Sequence, residues 1–354
     1  MFNTPGIQRS KICTSPTRYL IFWPILALLA LNSISLSIAA ETNSSTTGNI
    51  AIPAGAPEAP GYKSGAAVLA AIGRKELKLI TPPTNMPPGV VEEKNVEYGR
   101  VGDRSLRLDL FHPEKTHKAT PGLIFIHGGG WGGGDRNMLR YYAVGYAQKG
   151  YVTACISYRL SGEAPFPAAV EDSLCSVRWL RENARQYGVD AEKIGVIGGS
   201  AGGHLALMVG YGSGDKGLEG VGGHAKASSK VQAVVDFYGV YDFTVPLYRD
   251  VGPVKKFLAD KSYADDPDIY VRASPEHYLK QAAPPTLILH GTIDDLVPIE
   301  QSDALSARLK KLGVPYVYDR MAGWPHAMDL AQKVNDRCQF FMNDFFAKYL
   351  PLPK

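Results

Sequence analysis

Residues 193–205 read KIGVIGGSAGGHL, and this stretch decides the fold. Its first half is an apolar, glycine-bounded run, the pattern of a buried strand. Its second half continues as Ala201–Tyr211, a helical stretch. Between them lies Gly198-Gly199-Ser200-Ala201-Gly202, a G-x-S-x-G pattern at a strand-to-helix turn. Such a turn is sharp. Glycines at 198 and 202 let strand and helix approach, the serine is pushed out over the sheet, and the helix aims its first N–H groups at it. Alone the pattern is weak, and a glycine-rich turn with a helix-capping serine is the alternative. The strand–turn–helix setting makes it a nucleophile elbow.

Outward from the elbow, strands and helices alternate. Val96–Val101 and Ser105–Phe111 flank Gly-Asp, a hairpin signal. Strands are expected at Leu123–His127, Tyr151–Ser157, Ile194–Gly198, Val231–Tyr238, Thr286–His290 and Tyr316–Met321. Helices are expected at Met138–Lys149, Ala168–Tyr187, Ala201–Tyr211, Ile299–Leu312 and Asp329–Tyr349. Ala168–Tyr187 sets Val170, Leu174, Val177 and Leu180 on one face. Continuous apolar strands alternating with helices mean a parallel sheet covered on both faces, here with one antiparallel edge. Ligands of such sheets bind beyond the carboxyl ends of the strands.

Three strand ends carry chemistry. One is the elbow with Ser200. A second is HGGGWGGGD, residues 127–135, after the strand LIFIH. Glycines without a Cβ let backbone N–H groups point into a site. Gly129 and Gly130 are therefore candidate oxyanion donors, joined by the N–H of Ala201. The loop lacks the Lys-Ser/Thr ending of a P-loop and the spacing of a dinucleotide fingerprint. The third is HGTIDDLVP, residues 290–298, where Asp294 can hold an imidazole in one tautomer, with Asp295 as the alternative acid. The candidate imidazole is His326, in the loop AGWPH that follows the last strand. Serine is a weak nucleophile at its own pKa and needs this base. His204 is expected to pack under the elbow and His127 to bond within its loop. Arg159, Glu171 and Asp172 are expected to form structural ion pairs. Trp131 and Trp324 either line the substrate pocket or belong to the core.

The 354 residues are 45% hydrophobic and 20% charged, ordinary globular composition that excludes a disordered chain and a multi-span membrane protein. Three positive charges, Arg9, Lys11 and Arg18, precede the first acidic residue, Glu41; without them the net charge falls from +4 to +1. A nearly neutral body has no nucleic-acid footprint. Residues 1–40 read as a secretory signal peptide: the basic start, the apolar Leu20–Leu31, then small residues with cleavage after Ala39 or Ala40. Polar residues end the apolar run short of the ~20 residues a spanning helix needs. The cleaved signal implies a secreted or periplasmic protein without stable membrane insertion, and an uncleaved anchor over 20–40 is the alternative. Residues 41–89, rich in Ala, Gly, Pro, Ser and Thr, read as a flexible linker with one short helix at Ala66–Leu79. The catalytic body is 90–354. Cys155, Cys175 and Cys338 read as buried thiols, with one disulfide and a leftover thiol as the alternative, and no metal-ligand spacing is present.

With these motifs in place, the chain resembles the α/β-hydrolase superfamily over about residues 95–350. The resemblance rests on the elbow GGSAGGH, the HGGGW and HGTxDxxVP loops, and the order Ser200, Asp294, His326. It is similar to bacterial carboxylesterases of the hormone-sensitive-lipase and feruloyl/acetyl-xylan-esterase-like kind. It implies a mostly parallel eight-stranded sheet with helices on both faces and a small lid. It also implies hydrolysis of carboxylic esters through an acyl-enzyme, with no metal or organic cofactor. Ser200 matches the nucleophile, Asp294 the acid, His326 the base, and Gly129, Gly130 and Ala201 the oxyanion donors. Where relatives often have Gly-His, this chain has Trp324-Pro325-His326, which bears on pocket shape. Tyr211–Lys230 and Phe243–Pro285 are lid candidates, and a small lid implies short acyl groups on soluble or glycan-linked esters. A lipase, an amidase or peptidase on the same triad, and a non-catalytic binding protein are the rival readings.

Overall fold

The computed structural model describes residues 54–115, 118–249 and 251–354. The expected signal peptide 1–40 and linker residues 41–53 lie outside the described residues. The sheet runs through β1 (Val90–Val101), β2 (Arg104–Pro113), β3 (Thr120–Ile126), β4 (Val152–Ile156), β5 (Val189–Gly199), β6 (Ala233–Phe237), β7 (Thr286–Gly291) and β8 (Tyr316–Met321). Their spatial order is β1-β2-β4-β3-β5-β6-β7-β8. β1 with β2 and β2 with β4 pair antiparallel, and the other neighbours pair parallel. This is the α/β-hydrolase fold, with the antiparallel hairpin at one edge.

The helices are α1 (Gly65–Gly73), α2 (Arg140–Gln148), α3 (Ala168–Glu182), α4 (Ala184–Tyr187), α5 (Ala201–Gly212), α6 (Gly252–Phe257), α7 (Pro267–Ala273), α8 (Pro275–Tyr278), α9 (Glu300–Leu312) and α10 (Gln332–Tyr349). Strand residues alternate between two cores. Ile124, Ile126 and Val196 pack with Leu174, Val177 and Leu205 on one face; Leu123, Phe125 and Ile197 pack with Tyr146, Phe341 and Phe346 on the other. Two expected helices begin or end differently. Asn183 divides Ala168–Tyr187, because its Nδ2 donates to the carbonyl of Trp179 at 2.8 Å. The closing helix begins at Gln332, after the left-handed Ala327 (φ +57°) and a 3₁₀ turn over Met328–Leu330. α7 and α8 were hidden in sequence because each is under two and a half turns, shorter than the period needs.

Residues 54–89 differ from the flexible linker expected there. They strap onto the body. Tyr62 N–H donates to Gly323 O at 2.7 Å, Ile80 N–H to Leu330 O at 2.9 Å, and Arg337 Nη1 to Pro57 O at 2.9 Å. Val68, Ala71 and Leu77 are buried. A Pro/Ala/Gly-rich segment has few side chains to pack, so it docks largely through its backbone N–H and C=O groups, which composition does not reveal.

The two lid candidates also part company. Tyr211–Lys230 follows the carboxyl end of α5, 12 residues or ~18 Å along the helix from the elbow. It lies on α3 and β1, with Arg178 bonded to Glu219 and Arg100 N–H to Gly222 O. It is not a lid. Phe243–Pro285 contains α6 to α8 and does reach the glycine loop. A Cβ on Gly130 would stand 3.7 Å from Pro253 Cβ, and Trp131 stacks on Phe257 at 4.8 Å.

Candidate active site

β5 ends where Ser200 takes φ +58° and ψ −122°, strained for a residue with a Cβ. The turn has no room for side chains: a Cβ on Gly198 would lie 2.0 Å from Gly202 O, and one on Gly202 2.0 Å from Ile126 O. Ser200 N–H donates to Phe237 O at 2.9 Å, tying the elbow to the end of β6. Ser200 stands at the N-cap of α5 yet its side chain makes no capping bond. Its Oγ instead lies 2.9 Å from His326 Nε2. The capping-serine alternative does not describe this turn.

His326 Nδ1 lies 2.6 Å from Asp294 Oδ2. Asp294 is held from every side. Its Oδ1 accepts the N–H groups of Leu296 and Val297, both at 2.9 Å, and its Oδ2 also meets His290 Nε2 at 3.1 Å. Burial alone would push this carboxyl up, but the adjacent His326 and His290 outweigh it and hold Asp294 well below the usual carboxylate range. Asp295, the alternative acid, is exposed. The structure therefore brings Ser200, His326 and Asp294 into one hydrogen-bonded line.

Gly129 (φ +113°) and Gly130 (φ +58°) sit in conformations that suit glycine. The carbonyl of Gly129 accepts N–H bonds from Gly132 and Gly133, which curls the loop. Among the described residues, no acceptor takes the N–H of Gly129, Gly130 or Ala201. Ala201 is only 1% exposed, so its idle donor is unusual.

The BD-FAE family model matches residues 108–309, more than half of the chain, including Ser200 and Asp294. The chain belongs to the BD-FAE family. This BD-FAE chain has esterase relatives. It is 33% identical to the Mycobacterium tuberculosis esterase LipQ over 70% of this chain and 59% of LipQ. It thus spans less than two thirds of that relative's length. Among solved structures it is similar to a truncated carbohydrate esterase from gut microbiota, with TM-score 0.66 and 27% identity over 75% of this chain and 99% of that one. It is also similar to Thermogutta terrifontis esterase 2 in its propionate-bound form, with TM-score 0.65 and 26% identity over 78% of this chain and all of that one. That esterase has been solved with butyrate as well.

Other expected residues of the BD-FAE chain fall into the core. Trp324 is fully buried and donates its indole N–H to Ala59 O at 2.7 Å. It braces the strap and does not line a pocket. Trp131 is 4% exposed, wedged against Phe257, Phe243 and His204, so it too is core. Large flat side chains beside a glycine loop are drawn into the apolar interior, and sequence does not tell which face they take. His204 accepts the Trp131 indole N–H on Nδ1 (3.0 Å) and donates from Nε2 to Ala273 O (2.8 Å). Burial pushes its pKa down to about 4, so it stays neutral. His127 bonds Gly128 O and stacks on Tyr158, as expected of a loop histidine. Arg159 pairs with Glu171 and Asp172. Sequence reasoning missed His290, although it opens the HGTID loop four residues before Asp294. It also missed Tyr238 and Asp329, whose signal is visible only in three dimensions.

Proposed function

We propose that this chain is a carboxylic ester hydrolase working through a serine acyl-enzyme. The line Ser200 Oγ–His326 Nε2 (2.9 Å) and His326 Nδ1–Asp294 Oδ2 (2.6 Å) carries this reading. His326 takes the Ser200 proton as Oγ attacks the ester carbonyl. Asp294 orients the imidazole and stabilises the imidazolium. The N–H groups of Gly129, Gly130 and Ala201 receive the developing oxyanion. His326 returns the proton to the leaving alcohol. Water, activated by His326, then releases the acid and restores Ser200.

The acyl groups we assign are short, acetyl to butyryl, on soluble or glycan-linked alcohols. Two things support this. The insertion over the glycine loop holds helices of only 6, 7 and 4 residues, a small roof. Each buried CH₂ adds ~0.8 kcal/mol only while there is wall to meet it. The propionate and butyrate complexes of the Thermogutta esterase and the gut carbohydrate esterase also favour it. We further propose export by a cleaved leader 1–40; amino-terminal sequencing of secreted protein checks it, and a mature chain beginning at Met1 counts against it.

The test is Ser200→Ala. Its kcat on p-nitrophenyl acetate should fall by ~10⁴–10⁶, with loss of fluorophosphonate labelling and an unchanged circular dichroism spectrum. Near-normal turnover in that variant refutes the mechanism. An optimum at ten or more acyl carbons refutes the short-acyl assignment.

A further inference from the structure

His326 has a neighbour besides Ser200 and Asp294. The ring of Tyr238 stands 4.6 Å from the imidazole, with the planes inclined at 57°. Tyr238 is the residue after β6 and has φ +42°, a strained conformation for a residue with a Cβ. Its N–H donates to Leu289 O at 3.0 Å. A Cβ placed on Gly199 would lie 3.4 Å from its hydroxyl, so that hydroxyl lies beside the elbow itself. The hydroxyl donates to Asp329 Oδ1.

Asp329 is a second carboxylate, three residues after His326 and buried. The line through Asp294 does not use it. Its Oδ2 accepts from Tyr142 Oη at 3.2 Å. Asn335 Nδ2 in turn donates to Tyr142 Oη at 2.8 Å and to Asp329 O at 3.1 Å. The backbone N–H of Asp329 itself also favours the charged carboxylate. Two phenols, each donating to one oxygen, are the surroundings of an ionised carboxylate, and Asn335 holds one of those phenols in place. Burial opposes the charge and raises its pKa, while the phenols and the nearby His326 counter that. The Cys338 thiol, on α10, is the other titratable group facing it. Around His326 the ionisable groups are Asp294, with His290 beyond it, Tyr238 and Asp329.

We propose that Asp329, acting through Tyr238, is a positioning residue for His326 that favours the imidazolium formed when Ser200 gives up its proton. The inference rests on the ester-hydrolase reading above. The Tyr238 ring limits rotation of the imidazole away from Ser200, and the Asp329 bond fixes that ring. The buried negative charge adds to that of Asp294 at the moment the imidazole becomes positive.

The experiment compares Asp329→Asn and Tyr238→Phe with wild type on p-nitrophenyl acetate across pH. Asparagine keeps the shape and removes the charge. Phenylalanine keeps the ring and removes the link, leaving Asp329 with fewer donors, so that it takes up a proton at higher pH. Each variant should lose roughly tenfold in kcat with KM within about twofold, and the acid limb of kcat/KM should move to lower pH by about half a unit or more. Removing a negative neighbour makes the imidazolium give up its proton more readily, which sets that direction. Should Asp329→Asn not fold, Tyr238→Phe decides by the same two readouts. A fall in kcat with an unmoved acid limb makes the pair merely structural and overturns the proposal, as do variants with wild-type kinetics. A wild type without esterase activity overturns the ester-hydrolase reading as well, whereas an active wild type with unaffected variants overturns only this one.

Discussion

Asp236 offers a stability test whose sign and size follow from its surroundings. It lies in β6, with no exposure to solvent. Its Oδ1 accepts the N–H of Gly239 at 2.9 Å, and its Oδ2 has no partner among the described residues. Burial pushes its carboxyl up to about 7, and the single Gly239 bond only partly opposes that. In the unfolded chain the same group titrates near ~3.9. Between these values the folded state holds the extra proton, so folding is favoured at low pH, and that stability is lost as pH rises through about 7. A shift of about three units corresponds to about 4 kcal/mol. Asp236→Asn keeps a carbonyl for Gly239 and cannot ionise. Its NH2 leaves two unpaired N–H donors on one buried group where the protonated acid leaves one O–H, penalties of the same order at about 1–3 kcal/mol. Variant and wild type should therefore match within about 1 kcal/mol at pH 4. At pH 8.5 the variant should be the more stable by about 3 kcal/mol. Urea unfolding of both proteins from pH 4 to 8.5 measures this. The difference between them cancels Asp172, Asp329 and His204, which titrate in both. Parallel curves, with a difference that does not change with pH, would refute the reasoning, because they would mean that Asp236 titrates alike in the folded and unfolded chain and that burial does not raise its carboxyl.

Asp294→Asn should cost ~10⁴ in kcat, since an amide cannot accept from both imidazoles and leaves His326 in the wrong tautomer, while exposed Asp295→Asn should change kcat by less than about twofold; the reverse pattern moves the acid by one position. Trp324→Ala should destabilise by about 3–5 kcal/mol and open the strap, seen as new protease cleavage within 54–64; an uncut strap contradicts the docking through Ala59. Cys155, Cys175 and Cys338 are free and buried, with burial pushing all three thiols up and Cys175 up to about 11. They should not react with a disulfide reagent in the native protein and should all react in urea.

What was legible in sequence was what a single turn or strand encodes. The elbow needs glycine at 198 and 202 because Gly202 O and Ile126 O fill the space of a side chain, and such a need writes itself into the motif. Asp294 was readable because its loop must present two N–H groups, those of Leu296 and Val297, to one carboxylate oxygen within three residues. The strap was not readable. Its bonds run from Pro57, Ala59 and Tyr62 to residues some 260–280 positions away, and backbone N–H and C=O groups leave no mark in the side-chain pattern. The tryptophans failed for the opposite reason: their size says that they pack, and nothing in their spacing says against what.

The same distinction explains why the support of His326 is spread so widely. Its loop has only Pro325 and the left-handed Ala327 as neighbours, too little local structure to fix an imidazole. Its position must come from elsewhere: Asp294 after β7, Tyr238 after β6, and the strap through Tyr62 and Gly323. Four of the nine non-glycine residues with positive φ among the described residues, Trp131, Ser200, Tyr238 and Ala327, lie in the glycine loop, at the elbow, after β6 and beside His326. Each costs about 1–3 kcal/mol, and such strain persists only where surrounding packing over-determines it. The two cores on either face of the sheet supply that packing. The fold thus holds Ser200 and His326 in place, with the path for a proton between them already set at 2.9 Å.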